Sequence, residues 1–247
     1  MTYDRSFFRY VDETALASAE VIVPIVVGAL HCRSVLDVGC GTGAWLSVYA
    51  RRGVEDVVGA DGDYVQRDML MIAADRFVST DLTHGFDFGR QFDLVQSLEV
   101  AEHLPASASD RLVDTLCSHA GTILFSAAVP GQGGEHHVNE QPYERWRARF
   151  AARGFAPYDF VRPRLKGNPD VAPWYAYNTL LYAHERVESS LPLTVSQTRV
   201  PVGSPIPDLS PASFRIRKAL LRPLPPAIVT RLARLKRRLR NDRVRPA

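Results

Sequence analysis

The run Val35–Gly43, VLDVGCGTG, sets glycines at 39, 41 and 43 directly after an acid, Asp37. Glycines at that spacing let the backbone approach a ligand closely and take dihedrals that side chains forbid. GxG alone is common in a plain strand-to-helix turn, but the acid changes its meaning. A diphosphate on the following helix N-terminus would be repelled by Asp37. A cationic ligand with amine and sulfonium groups would not. Further on, Asp61 and Gly62 stand in GADGD, where a carboxylate can accept from both hydroxyls of a ribose. Asp81 and Leu82, in STDL, suit an adenine amino group and ring face.

A second chemistry-bearing group follows. In SLEVAEHLP, Glu99, Glu102 and His103 fall at i, i+3 and i+4, and a helical turn puts all three on one face. Two carboxylates and an imidazole suit Mg²⁺ or Mn²⁺. The plainer alternative is an ordinary exit from a strand, with His103 packing or bonding the backbone. Pro130–Gln141, PGQGGEHHVNEQ, is almost devoid of apolar residues. Its glycines at 131, 133 and 134 allow a tight turn that brings His136 or His137 back over the same pocket. With no metal, His137 or His103 is the candidate general base, able to take a proton near neutral pH. His136, Asn139, Glu140 and Tyr143 offer hydrogen bonds suited to a polar, hydroxyl-rich acceptor, or else are solvated surface.

Elements must hold these groups at one edge. Short Val/Ile/Leu-rich runs predict strands at Ser34–Val38, Asp56–Ala60, Arg76–Thr80, Phe92–Ser97, Thr122–Ala127, Pro157–Arg162 and Trp174–His184. Helical patterns fall at Ala44–Arg52, Tyr64–Ala74, Ala108–His119 and Pro142–Arg153. The alternation predicts an α/β, doubly wound, mostly parallel seven-stranded sheet with helices on both faces. The last two strands lack a helix between them, so the final one is expected to run antiparallel. Ligands in such folds bind at the carboxyl ends of the strands. Trp146 and Trp174 read as core or pocket wall.

With those residues in place, the chain resembles the class I S-adenosylmethionine-dependent methyltransferases over about residues 30 to 185. VLDVGCGTG is similar to the family's first motif, GADGD to its acidic second-strand end, TDL to its adenine contact, and FDLVQSLEVAEHL to its fourth-strand motif. The resemblance implies a Rossmann-like fold and a cofactor site lined by Asp37, Gly39, Cys40, Gly41, Gly43, Asp61, Gly62, Asp81, Leu82 and Ser97. The ExxEH turn is also similar to that of small-RNA 3′-terminal 2′-O-methyltransferases, which hold a metal, and of ubiquinone-pathway O-methyltransferases. By that likeness Glu99, Glu102 and His103 would be metal ligands and His137 the fourth. The histidine loop here is shorter than in the RNA enzymes, and their basic RNA-guiding domains are absent.

Composition bounds the rest. Of 247 residues, 46% are hydrophobic and 23% charged, ordinary for a globular protein. The three cysteines, Cys32, Cys40 and Cys117, form no CxxC pair, which argues against a disulfide framework and for a reducing cytoplasm. Met1–Thr14 contains no signal-peptide apolar core. Val21–Leu30 is apolar but about half a bilayer span and broken by Pro24, so a buried helix is expected. The net charge of +3 hides an asymmetry: residues 213–247 hold 12 basic and one acidic residue, against 18 and 26 in the rest. Three regions follow: a methyltransferase domain at 1–187, a Pro/Ser-rich extended linker at 188–212, and a basic tail at 213–247. In the tail, Ile228, Leu232, Leu235 and Leu239 share one helical face. Arg231, Arg234, Lys236, Arg237, Arg238 and Arg240 flank it, the pattern of a helix lying on an anionic membrane surface. No aromatics interleave with the bases, which disfavours nucleic acid; a solvated tail that neutralises the acidic body, of this chain or of a partner subunit, stays open as an alternative.

The expectation is an O-methyltransferase acting on a saccharide or lipid-linked glycan, cytoplasmic or peripheral at the inner membrane face. The rivals are a methyltransferase of a quinone, another small natural product or an RNA 3′ end, and a non-enzymatic module that binds the cofactor or a membrane partner. Oligomeric state is left open.

Overall fold

The computed structural model describes residues 5–225 and 227–235, with side chains from Asp12 onward. Lys236, Arg237, Arg238, Leu239 and Arg240 lie outside the described residues. Seven strands form one sheet: β1 (Ser34–Val38), β2 (Asp56–Asp61), β3 (Phe77–Ser79), β4 (Leu94–Leu98), β5 (Thr122–Ser126), β6 (Phe155–Tyr158) and β7 (Leu180–His184). Their spatial order is β3-β2-β1-β4-β5-β7-β6, with β7 antiparallel to both its neighbours and the other pairings parallel. The order reverses between β1 and β4. Their carboxyl ends flank the crevice where an open α/β sheet binds its ligand.

Helices cover both faces. One side carries α1 (Arg5–Leu30) and α2 (Ala44–Arg51), with Ile22, Val23, Leu46 and Tyr49 in a common apolar cluster. The other carries α3 (Ser109–His119) and α4 (Tyr143–Ala151), with Leu112, Leu116, Trp146 and Phe150 against the sheet. Central strands are therefore buried on both faces, which is why β4 and β5 are buried throughout. Helix α1 is far longer than Val21–Leu30, running through Pro24 without a break. By length and composition Asp12–Leu30 is apolar enough to cross a membrane. Here its Ala15, Ala19, Ile22, Val23 and Val26 stripe is core.

Four expectations need correction. Tyr64–Ala74 is not a helix; only short 3₁₀ turns form at Arg67–Met69 and Ala74–Arg76. The Met71 N–H instead donates to Thr42 O (2.8 Å) and Ile72 packs beside Gly43, so the segment braces the glycine loop. Trp174 is not in a strand, because Pro173 opens a short helix, α5 (Pro173–Asn178), before β7. Strand β6 ends at Tyr158, short of the expected Arg162. Arg162 is fully buried, donates to both Asp159 oxygens at 2.8 Å, and starts a 3₁₀ turn. Finally, residues 188–212 are strapped to the body rather than extended away from it. A short helix, α6 (Leu193–Ser196), precedes a bridge between Arg199 and Tyr158. Val195, Val200 and Ile206 are buried, and Arg147 and Arg162 donate to Ser204 O and Pro207 O. The tail begins with α7 (Ala212–Leu221), and residues 227–235 are helical.

Candidate active site

The glycine loop closes β1 against α2. Gly39, Gly41 and Gly43 have φ of 85°, 54° and 84°, a region that L side chains rarely occupy. A Cβ at Gly39 would fall 2.3 Å from Val100 Cγ2, so a side chain there is excluded by space as well as by dihedral. At the end of β2, Asp61 reaches across to this loop. One carboxylate oxygen accepts from Gly41 N (2.7 Å), and the other from Gly62 N (2.6 Å) and the Tyr64 hydroxyl. Asp37 is 2% exposed at the end of β1, and its Oδ2 has no hydrogen-bond partner. Burial pushes its carboxyl up to about 7 and raises that of Asp61. Two desolvated carboxylates are thus held at one mouth, a favourable setting for a cation.

They open onto a cavity of about 350 Å³, within the size range of small-molecule sites. The same cavity is lined by Glu102, His103 and His137. That part of the wall is built by the histidine loop. Val138 N and Asn139 N both donate to Glu102 O (2.9 and 3.1 Å), folding the loop back onto the turn after β4. His137 then meets His103 edge-on, with ring centres 4.9 Å apart. Its Nδ1 lies 2.9 Å from Glu140 Oε1, and its Nε2 packs beside Gly134, another residue of the cavity wall. Both Glu102 carboxylate oxygens and His103 Nδ1 are buried without a partner. Burial, and next the charge of Glu99, raises the Glu102 carboxyl; burial, and next His137, pushes the His103 imidazole down to about 3. One ligand atom from each of Glu102, His103 and His137 lies within 4.8 Å of the others.

Glu99 lines the cavity but is not part of that trio. Its backbone sits at φ 57°. Its carboxylate accepts from Gln132 Nε2 (2.7 Å) and Asn178 Nδ2 (3.2 Å), while its charge acts on Glu102 and the charge of His137 acts on it. The trio whose donor atoms already converge is one carboxylate and two imidazoles, with Glu99 on the same cavity wall. Nitrogen donors suit Mn²⁺ or another transition metal better than Mg²⁺.

Of the expected cofactor residues, Asp37, Gly39, Cys40, Gly41, Asp61 and Leu82 line the cavity. Gly43, Gly62, Asp81 and Ser97 do not. Gly43 packs under Ile72, and Ser97 is wholly buried within β4. The Asp81 carboxylate is taken by Thr83 and His84, bonds that hold its pKa down to about 2. The four expected acceptor contacts also stand outside the cavity, their polar groups engaged elsewhere. His136 lies 3.0 Å from Arg234 and faces the tail. Asn139 donates to Ala101 O and Ser109 Oγ. Glu140 accepts from Gly131 N and Gly133 N as well as meeting His137. Tyr143 Oη lies 3.0 Å from Tyr177 O and from Asn178 Oδ1. Trp146 is core and Trp174 is pocket wall.

Sequence reasoning missed Asp12, Gln132, Tyr175 and Arg217, all of which line the cavity. Asp12 accepts from Thr42 Oγ1 at 2.7 Å, and burial raises its carboxyl. None belongs to a motif; Gln132 alone had a signal, lying inside the unusual loop.

Residues 8–159 match the profile of a family described as a methyltransferase domain. The chain belongs to that family, the class I S-adenosylmethionine-dependent methyltransferases. The ubiquinone biosynthesis O-methyltransferase of Acinetobacter baylyi is 31% identical over 108 residues, covering 40% of this chain and 45% of that protein. The chain thus matches less than half of that relative's length. Among solved structures, a sugar N-methyltransferase from Streptoalloteichus aligns with a TM-score of 0.51 at 19% identity, over 70% of this chain and 87% of that one. An amino pentose methyltransferase from Micromonospora echinaspora, with S-adenosylmethionine bound, aligns with a TM-score of 0.51 at 19% identity, over 74% and 98%. These two likenesses establish the fold.

Proposed function

We propose that the protein methylates a hydroxyl of a polar, saccharide-like acceptor, free or lipid-linked, with S-adenosylmethionine as donor. The observation that carries this is one cavity lined by two chemically different groups. Asp37 and Asp61 beside a bare glycine backbone suit a sulfonium cation and a ribose. Glu102, His103 and His137 suit a hydroxyl that must lose its proton. The acceptor oxygen attacks the methyl carbon as the C–S bond breaks, and S-adenosylhomocysteine leaves. Without a metal, His137 Nε2, its ring oriented by Glu140, is the group that receives the proton. His103, kept neutral by burial, is the poorer base and the better ligand. If a divalent metal binds, Glu102, His103 and His137 would hold it, and it would lower the hydroxyl's pKa.

The match to a quinone-pathway enzyme supports a second reading, a phenolic acceptor. The test is production of S-adenosylhomocysteine from S-adenosylmethionine with glycans and, in parallel, with hydroxylated quinone precursors. The expected result is turnover of a glycan, abolished by EDTA and restored by Mn²⁺. Turnover of the quinone precursor alone would transfer the assignment. Undiminished rate in EDTA would leave His137 as base with no metal. Binding of the donor with no turnover of any acceptor would favour the non-enzymatic rival.

The same reading has the protein working at an anionic membrane face. Ile216, Leu220, Ile228, Leu232 and Leu235 are 45–68% exposed. Arg215, Arg231 and Arg234 are exposed on the same two helices, and apolar and cationic groups together favour anionic lipid.

A further inference from the structure

The C-terminal helices do more than present an outer surface. Their inner side closes the cavity, with Phe214 and Arg217 from α7 and Ala233 from the 227–235 helix in its wall. They press on the histidine loop. A Cβ at Gly131, where φ is 83°, would fall 2.2 Å from Lys218 O, and one at Gly133 would fall 2.9 Å from Val229 Cγ1. Tyr177 packs on Phe214 with ring centres 5.6 Å apart, and Arg234 lies 3.6 Å from Glu135. Lys218 is buried and paired with Asp208 at 2.5 Å.

Arg217 differs from these neighbours. Its guanidinium reaches the cavity, with Nη2 3.9 Å from the Cβ position of Gly133. Among the described residues none accepts a hydrogen bond from it. Its aromatic neighbour is Phe214, 5.5 Å from ring centre to guanidinium carbon. The acid that acts on it is Glu140, whose carboxylate is already taken by Gly131 N, Gly133 N and His137. Burial depresses the Arg217 pKa, with Glu140 opposing. An arginine keeps its charge even so, and five donors in a half-dry cavity call for an oxyanion. The donor cofactor's carboxylate is not the natural partner, because Arg217 stands over Gly133 in the histidine loop and not over Gly39–Gly43.

We propose that Arg217 binds an anionic oxygen group on the acceptor, a phosphate ester or carboxylate set near the hydroxyl to be methylated. This rests on the methyltransferase reading and narrows its substrate class to anionic acceptors. The group can come from a soluble sugar phosphate or from the phosphate of a lipid carrier.

The experiment titrates inorganic phosphate into the full chain, with and without saturating S-adenosylhomocysteine, followed by calorimetry and by NMR of the arginine side chains. Saturable binding is expected, weakened at least tenfold in Arg217→Gln, partly restored in Arg217→Lys, and unchanged in Arg186→Gln, an exposed arginine on another part of the chain. S-adenosylhomocysteine affinity should be equal in all four proteins. Phosphate binding that survives Arg217→Gln overturns the proposal. So does a tenfold loss of S-adenosylhomocysteine affinity in Arg217→Gln and Arg217→Lys, which would give the residue to the cofactor. If wild type binds phosphate but not S-adenosylhomocysteine, the methyltransferase reading fails on its own. Monomeric dihexanoyl phosphatidic acid and glucose 1-phosphate separate the two sources: whichever competes with phosphate more tightly identifies the carrier.

Discussion

Asp37 is the residue whose environment makes the sharpest demand. Burial, which disfavours the charged form, pushes its carboxyl up to about 7. A cationic donor favours that charged form, so binding draws the proton off. Cofactor affinity measured by calorimetry should therefore rise between roughly pH 6 and pH 8 and level off above. Asp37→Asn should bind at least about tenfold more weakly and lose this pH dependence, one pKa unit being worth about 1.4 kcal/mol. A flat profile in the wild type would remove Asp37 from the cation site. Stability should move the opposite way. The fold holds the Asp37 proton between the ordinary carboxylate pKa and about 7, while the unfolded chain has lost it. Native stability therefore falls as pH rises through that window and stays low above it. Asp37→Asn, with no charge to bury, should melt higher than wild type at about pH 8. Asp37 and Asp61 were legible because a motif carries them. Asp12 and Arg217 were not, since each arrives from an element whose approach to the pocket is set by packing.

At the scale of elements, the histidine loop matters most. Its glycines and its position after β5 were readable as a turn over the pocket. Which polar residues face inward was not readable, because Asn139, Glu140 and Tyr143 look alike as donors and acceptors until the loop's own needs are counted. Buried backbone groups must be satisfied, and these side chains are spent on that. Asn139→Ala should therefore act as a loop mutation. It removes two buried hydrogen bonds, from Asn139 Nδ2 to Ala101 O and Ser109 Oγ, and should cost about 1–3 kcal/mol of stability. Methyl transfer should fall at least tenfold while S-adenosylhomocysteine affinity stays within about twofold, since the loop carries His137. Equal losses of both would mean that Asn139 supports the whole pocket. The expected helix at Tyr64–Ala74 failed for a related reason: Met71 N and Ile72 serve the glycine loop, and a regular helix would forgo both contacts.

Across the whole molecule, the basic tail has two faces with different work. Phe214, Arg217 and Ala233 turn inward and finish the cavity wall. Leu220, Leu232 and Leu235 turn outward. A double change, Leu220→Asp with Leu232→Asp, should abolish sedimentation with vesicles rich in phosphatidylglycerol. It should leave the melting temperature within about 2 °C, since surface substitutions usually stay within about 0.5 kcal/mol. Retained sedimentation would end the membrane reading while leaving the inward face untouched. The strap at 188–212 belongs to this scale too: its prolines suggest an extended linker, and only packing of Val195, Val200 and Ile206 shows where it rests.

The amino-acid sequence by itself determined the strand–helix alternation, the glycine loop, the acids at the ends of β1 and β2, and hence the class of donor. Those features are local, and periodicity, turn chemistry and charge reveal them without a fold. The tertiary structure decided which groups share the cavity wall. It tied Glu99 to Gln132 and Asn178, joined Glu102 and His103 to His137, and brought Arg217 in from beyond the matched family region. Those pairings span long separations in the chain, and only burial of the intervening elements sets their distances.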